Sequence, residues 1–399
     1  MTQRIRPGVV AALALLLAAA TGCTGQPPEP PGPSAPASVA RGAGGHHADV
    51  PRPFTLLASG DVLPHSSVID QAAADAGGRG YDFTPMLKGV APVVSRADLA
   101  ICHMETVYGK EGGPYTGYPS FKSPPEVATA LRATGYDSCS TASNHTLDDG
   151  AEGVGRTLRA LDAAGVRHAG SARSAAEAAR PTILPTGAGK RAAKVAHLAY
   201  TYGTNDRPLP PGKPWTVDVI DEDKIVTEAR KARRAGADVV VLSMHWGTEW
   251  QDEPDARQLE LAERLTASQE RGRPDIDLII GTHAHVPQAY EKVNGTWVVY
   301  GMGDQIAGAM INYEGVQDPR GNQSSMGRFT FAPPARPGGR WTVGKAEFVP
   351  QWYDTTTGRV VNLNTALKAG AEHHRQVRDR IRDVVLGRGA EGDGLVMGE

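Results

Sequence analysis

Asp277-Leu278-Ile279-Ile280-Gly281-Thr282-His283-Ala284-His285 runs from a short apolar segment directly into two histidines separated by one residue. The apolar half reads as a buried strand, and a chain that turns at the end of that strand can aim both imidazoles into one crevice. The same syntax recurs at Val239-Val240-Val241-Leu242-Ser243-Met244-His245-Trp246-Gly247 and at Cys139-Ser140-Thr141-Ala142-Ser143-Asn144-His145, where an apolar or small-residue run ends in a histidine. In an α/β sheet the carboxyl ends of the strands converge on the crevice that binds ligands. Histidines gathered there point to a metal-dependent enzyme.

Outward from these strands, apolar runs and helical periodicity alternate. Strands are expected at 54–58, 98–102, 136–142, 194–199, 238–244, 277–281 and 297–301. Helices are expected at 84–95, at 125–134 with Gly135 as its stop, at 153–164 with Gly165 as its stop, at 222–235 and at 255–270. Strands separated by helical segments predict βαβ units, a largely parallel interior sheet and helices outside. No internal repeat is visible. Residues 373–386 read as a surface helix, with Val377, Ile381 and Val384 or Val385 at helical spacing and His373 and His374 exposed at its start.

The first residues read as an address. Arg4 and Arg6 precede an apolar run over 9–20, about twelve residues, which suits a signal-peptide core and is too short to span a bilayer. Ala20-Thr21-Gly22-Cys23 then looks like a bacterial lipobox, so residues 1–22 are expected to be removed and Cys23 to carry the lipid. Residues 24–53 hold Pro27, Pro28, Pro30, Pro31, Pro33 and Pro36 among Ser, Gly and Ala, a composition suited to an extended tether, with His46-His47 solvated in it. The expected location is extracytoplasmic, held to the cell membrane by lipid. The remainder, from residue 54, is long enough for one large domain with a full core. With 42 Lys+Arg against 44 Asp+Glu and no basic block, nothing points to a nucleic-acid partner. Cys102 and Cys139 lie inside strand-like apolar runs. Outside the cytosol a disulfide is allowed, but free buried thiols are the expectation.

Three more segments supply candidate ligands. Asp61, in Ser59-Gly60-Asp61, projects from the end of the first strand, and its carboxylate suits a divalent ion or, alternatively, a turn. His65, four residues on, could fold back as a fellow ligand, though the spacing is not diagnostic. Glu105, in His103-Met104-Glu105, could bridge two ions about 3.5–4 Å apart, while His103 could stand behind and orient a ligand. In Asn144-His145 the amide oxygen can coordinate, and an imidazole kept off the metal can donate a proton to a leaving group. Asp148, three residues on, could hold that imidazole.

Together these elements resemble the bacterial capsule-synthesis CapA family, relatives of the calcineurin-like metallophosphoesterases. The resemblance spans 54–350 and is carried by Gly60-Asp61, Glu105, Lys122-Ser123-Pro124-Pro125-Glu126 and Ala142-Ser143-Asn144-His145-Thr146-Leu147-Asp148-Asp149-Gly150. Further along it is carried by Tyr200-Thr201-Tyr202-Gly203-Thr204-Asn205, His245-Trp246-Gly247-Thr248-Glu249, Gly281-Thr282-His283-Ala284-His285 and Tyr300-Gly301-Met302-Gly303-Asp304. Departures are His103, where the family usually has Asn, and Gly301-Met302-Gly303-Asp304 in place of a Ser-Leu-Gly-Asn loop. The relatives' Asp-x-His at the first strand is also missing, a role His65 could fill.

The resemblance implies a metallophosphatase-like, four-layer αββα sandwich and a link to poly-γ-glutamate capsule synthesis or export. It implies two divalent ions, one held by Asp61, Glu105 and His285, with His65 a possible addition, and the other by Glu105, Asn144, His245 and His283. His145 and Asp148 would be the catalytic pair. Imidazole, carboxylate and amide ligands suit Mn, Fe, Zn or Co. Three functions from different classes follow: a metal-dependent hydrolase acting on a phosphoester or an amide in an anionic surface polymer; a non-catalytic component that binds polymer or membrane synthase partners; and a solute-binding lipoprotein, which would lack a convergent ligand set. The residues beyond 350 are expected to form a C-terminal extension, 351–399, that includes the surface helix.

Overall fold

The computed structural model describes residues 51–189, 192–336 and 338–399. The signal segment, Cys23, His46-His47 and all but the end of the tether lie outside the described residues. No helix among the described residues is long and apolar enough to cross a membrane.

Two sheets carry the fold. The larger runs Arg359–Asn362, Thr342–Asp354, Gln323–Ala332, Phe54–Val62, Leu99–Met104, Ser138–Ser140, Arg167–Ala169, with Asp304–Ile306 also pairing with Phe54–Val62 and Leu395–Met397 with Thr342–Asp354. The smaller runs Tyr290–Val293, Thr296–Val299, Leu278–Thr282, Val239–His245, Lys194–Thr201, Thr182–Pro185. The four strands from Phe54–Val62 to Arg167–Ala169 are mutually parallel, as are the four from Thr296–Val299 to Lys194–Thr201. Antiparallel strands flank both parallel sets.

Strand alternation sorts the side chains into layers. Leu56, Ala58, Leu99 and Ile101 face Val239, Val241, Leu278 and Ile280 between the sheets. Leu57, Ala100 and Met104 point the other way, onto Val68, Met86, Val127 and Leu131 of helices. On the far side Val240, Leu242 and Ile279 pack against Ile225, Ala229, Leu261 and Leu265 of the helices Glu222–Arg234 and Ala256–Ala267. Helix, sheet, sheet, helix is the four-layer arrangement expected. The chain beyond 350 joins the same interior, with Leu363, Ile381, Val385 and Leu395 in the inter-sheet cluster.

A repeated aspartate sets the strand register. Asp98, Asp137, Asp238 and Asp277 each immediately precede a parallel strand, and each accepts the backbone N–H of a residue on the neighbouring strand: Thr55 at 2.8 Å, Ala100 at 2.9 Å, Lys194 at 2.9 Å and Val240 at 2.8 Å. Strands pinned level at their amino ends finish level at their carboxyl ends, where the candidate ligands sit.

Three expectations are corrected. The helix read over 84–95 is two short ones, Thr84–Leu87 and Ala91–Val94. Pro92 lacks the N–H that a continuous helix would use and so opens a new first turn. His374 is buried, its ring 5.3 Å from that of Trp352, while His373 is exposed as expected. Most consequentially, Cys102 and Cys139 form a disulfide. They are direct partners on adjacent parallel strands, 4.4 Å apart at Cα, so both side chains leave the sheet on one face. The bond closes a separation of 37 residues. A Cys102→Ala/Cys139→Ala chain should therefore lose about 2–4 kcal/mol in denaturant unfolding; unchanged stability would count against this role.

Candidate metal centre

The strand registers bring the polar ends together. Asp61 pairs in register with His103 on one side and Asp304 on the other, His103 with Ser140, and Thr282 with His245. Gly60 is required here: a Cβ on it would lie 1.7 Å from the carbonyl oxygen of Gly303, the oxygen that also accepts the Asp61 N–H at 3.1 Å. Beyond Thr282 the chain turns through His283 at φ 91° and His285 at φ 59°, left-handed values unusual for residues with a Cβ. Such strain persists where the surroundings over-determine it, and it clusters at functional sites.

Two sets of ligand-type atoms lie within 4.8 Å of one another: Asp61, His103 and His245; and Asp61, Glu105, His285 and Asp304. Asp61 belongs to both. Glu105 Oε1 also stands 3.8 Å from His245 Nε2. Asn144 Oδ1 lies 2.9 Å from the same Nε2, and Thr282 Oγ1 holds the other ring nitrogen at 3.0 Å. His283 packs its ring 4.7 Å from that of His245 and donates its backbone N–H to Asp61 Oδ2 at 3.0 Å. Glu249 faces both loop histidines, 3.9 Å from His283 Nε2 and 4.0 Å from His285 Nε2.

A cation fits this cluster on the evidence of its unmet polar atoms. Asp61 Oδ1, both carboxylate oxygens of Glu105, Asp304 Oδ2, His103 Nε2 and His283 Nδ1 are buried without a hydrogen-bond partner. Unpaired buried oxygens of this kind are costly unless something positive meets them. Burial first, and then the neighbouring carboxylates, push Asp61 and Glu105 well above the usual carboxylate range, and burial likewise raises Asp304. Burial lowers His245 and His283 well below the ordinary imidazole value and takes His103 down to about 3, so all three offer lone pairs. For His285 burial also opposes protonation, but Asp304, at 3.0 Å from Nδ1, together with Glu105 and Glu249 outweighs it and holds the ring above its ordinary value. A divalent ion would reverse this balance, since it is the largest local charge in any site that binds one.

Of the residues singled out in the sequence, Asp61, Glu105, Asn144, His245, His283 and His285 converge here. His103, placed behind the ligands by the sequence reading, points Nε2 to within 3.7 Å of Asp61 Oδ1 while Ser140 Oγ holds its Nδ1 at 2.7 Å. His65 joins neither set: it packs edge-on to Phe121 at 5.1 Å, and burial lowers it to about 4. His145 places Nδ1 2.7 Å from Asp148 Oδ2. The Phe121 N–H at 2.7 Å and the Arg207 guanidinium at 3.2 Å fix that carboxylate in turn. The pair sits in a turn, and the helix itself begins at Gly150.

The family model described as bacterial capsule synthesis protein PGA_cap matches residues 55–309, a stretch that contains every residue of this cluster. The chain belongs to that family. Among curated relatives, a probable polyglutamine synthesis accessory protein of Mycobacterium tuberculosis is 27% identical over 230 residues, covering 55% of this chain and 57% of its own. The capsule biosynthesis protein CapA of Bacillus anthracis is 26% identical over 183 residues, covering 45% and 42% respectively. The PGA biosynthesis protein CapA of Bacillus subtilis is 27% identical over 186 residues, covering 45% of each chain. The chain thus spans about half the length of the curated relatives it matches. Among solved structures, the calcineurin-like phosphoesterase YfkN of Bacillus subtilis aligns at TM-score 0.46 and 15% identity, covering 83% of this chain and 99% of that one. A putative 5'-nucleotidase of Staphylococcus aureus aligns at TM-score 0.44 and 15% identity, covering 83% and 58%.

Within this PGA_cap chain the sequence reading left Asp304, Glu249, Thr282 and Ser140 without roles. Asp304 carried a usable signal, since Tyr300-Gly301-Met302-Gly303-Asp304 follows an apolar strand as the histidine segments do.

Proposed function

We propose that this protein is a lipid-anchored, metal-dependent hydrolase of the cell surface, acting in capsule or poly-γ-glutamate synthesis on a phosphoester or an amide of an anionic polymer. The observation that carries the reading is the set of buried, unpartnered carboxylate and imidazole atoms converging from the ends of separate strands. Asp61, Glu105, His285 and Asp304 would hold one divalent ion. Asp61, His103 and His245, with Asn144 Oδ1 and the adjacent His283, would hold the other. Mn, Fe, Zn or Co all suit these ligands, which include no thiolate because both cysteines of the domain are in the disulfide. When bound, the ions supply charge that polarises the scissile group and acidifies water.

The chain's own residues supply the rest. The Asp148 carboxylate accepts from His145 Nδ1, which leaves Nε2 as the atom that carries the mobile proton to the departing group. Phe121, packed edge-on to His145 with ring centroids 4.7 Å apart, narrows the space in which the imidazole can turn. Thr282 commits His245 Nδ1, so that Nε2 faces the cluster.

Elemental analysis of the purified chain, joined to a turnover screen on phosphodiesters and poly-γ-glutamate, tests the reading. About two divalent ions per chain with turnover is the expected result. Ions without turnover on any substrate would return the protein to an accessory role, binding polymer or membrane synthase partners. Absence of bound ions would overturn the metal site.

The disulfide supports an oxidising compartment, and Cys23 supplies the anchor in this reading. Cys23→Ser should abolish lipid labelling and leave unprocessed or released protein, because several acyl chains are what make attachment stable. Equal labelling of the variant would refute the lipobox.

A further inference from the structure

Of the 6 phenylalanines, 6 tryptophans and 11 tyrosines of the chain, three alone are exposed: Tyr118 and Tyr313 at 74% and Tyr202 at 40%. All three border the metal centre. Tyr202 directly follows the strand Lys194–Thr201 and donates its backbone N–H to the His245 carbonyl at 2.9 Å. Its ring lies 4.4 Å from that of His283 and 6.3 Å from that of His245. Tyr118 stands 6.4 Å from Phe121, the ring that packs on His145. Tyr313, from the segment between Asp304–Ile306 and Gln323–Ala332, stands beside the Glu249 carboxylate, with Tyr202 and Tyr118 among its further neighbours. Rings left in water and gathered at one opening mark a surface that takes a ligand.

The polar groups among the rings narrow the choice of ligand. Glu249 reaches the opening with its side chain 22% exposed, and it pairs with no Lys or Arg among the described residues. Burial first, and then Glu249, raises the Tyr202 hydroxyl to about 12 and raises that of Tyr313 as well, so both stay protonated. The opening therefore offers neutral flat faces and hydroxyls around one carboxylate acceptor. A poly-γ-glutamate segment has no ring to lay on those faces, and its own carboxylates would be repelled by Glu249. A sugar ring suits both features: its C–H face covers an aromatic ring while the hydroxyls at its edge donate to a carboxylate. A nucleobase shares the flat face but lacks that fringe of hydroxyls.

We infer that Tyr118, Tyr202 and Tyr313, with Glu249 between them, form a subsite for a sugar ring, so that the substrate of this centre is a phosphoester of a sugar. The ring covers the exposed tyrosine faces, its edge hydroxyls donate to Glu249, and its phosphate is directed at the ligand cluster. Hydrolysis of that ester rests on the hydrolase reading; binding of the ring does not.

The test uses the full, metal-loaded chain, a Tyr118→Ala/Tyr313→Ala variant and a Tyr118→Phe/Tyr313→Phe variant. Both positions are exposed, so neither pair of changes opens a cavity in the core. Binding of glucosyl phosphate, glycerol phosphate and adenylate is measured by titration calorimetry, beside phosphate release from each. The parent should hold glucosyl phosphate about tenfold more tightly than the ringless glycerol ester, the scale of one or two ring contacts. The alanine variant should bring that preference down to about twofold or less, while the phenylalanine variant, which keeps the rings, should retain most of it. Equal binding of the two esters by the parent, or a preference that survives the alanine changes, would overturn the inference. Tighter binding of adenylate than of glucosyl phosphate would overturn it in favour of a nucleobase. A preference that is present and lost in the alanine variant, without phosphate release from any ester, would sink the hydrolase reading and leave the sugar subsite standing.

Discussion

Replacing His245 or His283 with alanine should reduce bound metal from about two ions per chain to about one or fewer and take turnover to background. His245 is almost fully buried, with Nε2 between Asn144 Oδ1 and Glu105 Oε1. Without that imidazole the ion proposed for Asp61, His103 and His245 would lose one of its three grouped ligands. A cavity at a buried site also lowers stability, so His245→Gln, closer in volume, and circular dichroism of each variant separate lost folding from lost metal. Thr282→Val gives a graded companion: freeing His245 Nδ1 from its hydroxyl should weaken metal affinity by about 10–100-fold without abolishing it. Unchanged metal content in both alanine variants would remove the site.

His145→Ala should behave in the opposite way. The ring contacts Asp148 and Phe121 and belongs to neither ligand set, so metal content and fold should be retained. Turnover of a substrate with a poor leaving group should fall by about 10²–10⁴-fold, the scale of general-acid catalysis. A substrate whose leaving group is acidic enough to depart unprotonated should be spared. Metal loss in this variant would transfer His145 to the ligands, and full activity on the poor leaving group would end the general-acid role.

What the sequence made legible followed from local syntax. An apolar run ended by His245, by His283 and His285, or by Asn144-His145 announces a strand and the group at its tip within one short window. The alternating strands and helices likewise foretold layers, because periods of 2 and 3.6 are local properties. Contributions fixed by pairing between distant segments stayed hidden. Asp304 reaches the cluster because its strand pairs with Phe54–Val62, and Cys102 meets Cys139 because of a register that no local pattern reports. Asp98, Asp137, Asp238 and Asp277 stood in view at the start of their strands, yet each acts on the backbone of the next strand over. His374 packs against Trp352, a residue of the distant strand Thr342–Asp354.

The Cys102–Cys139 bond has a mechanical consequence for the crevice. A slip of one residue between those two strands would turn the cysteines to opposite faces, so the covalent link is compatible with one alignment alone. Once closed, it forbids sliding and fixes how far His103-Met104-Glu105 protrudes relative to Ser143-Asn144-His145. On the other sheet, His245 and the loop histidines are joined to their neighbours only by hydrogen bonds such as that of Thr282. Chelation should therefore leave the spacing of Glu105 and Asn144 as it is, because a covalent bond and not the ion sets it.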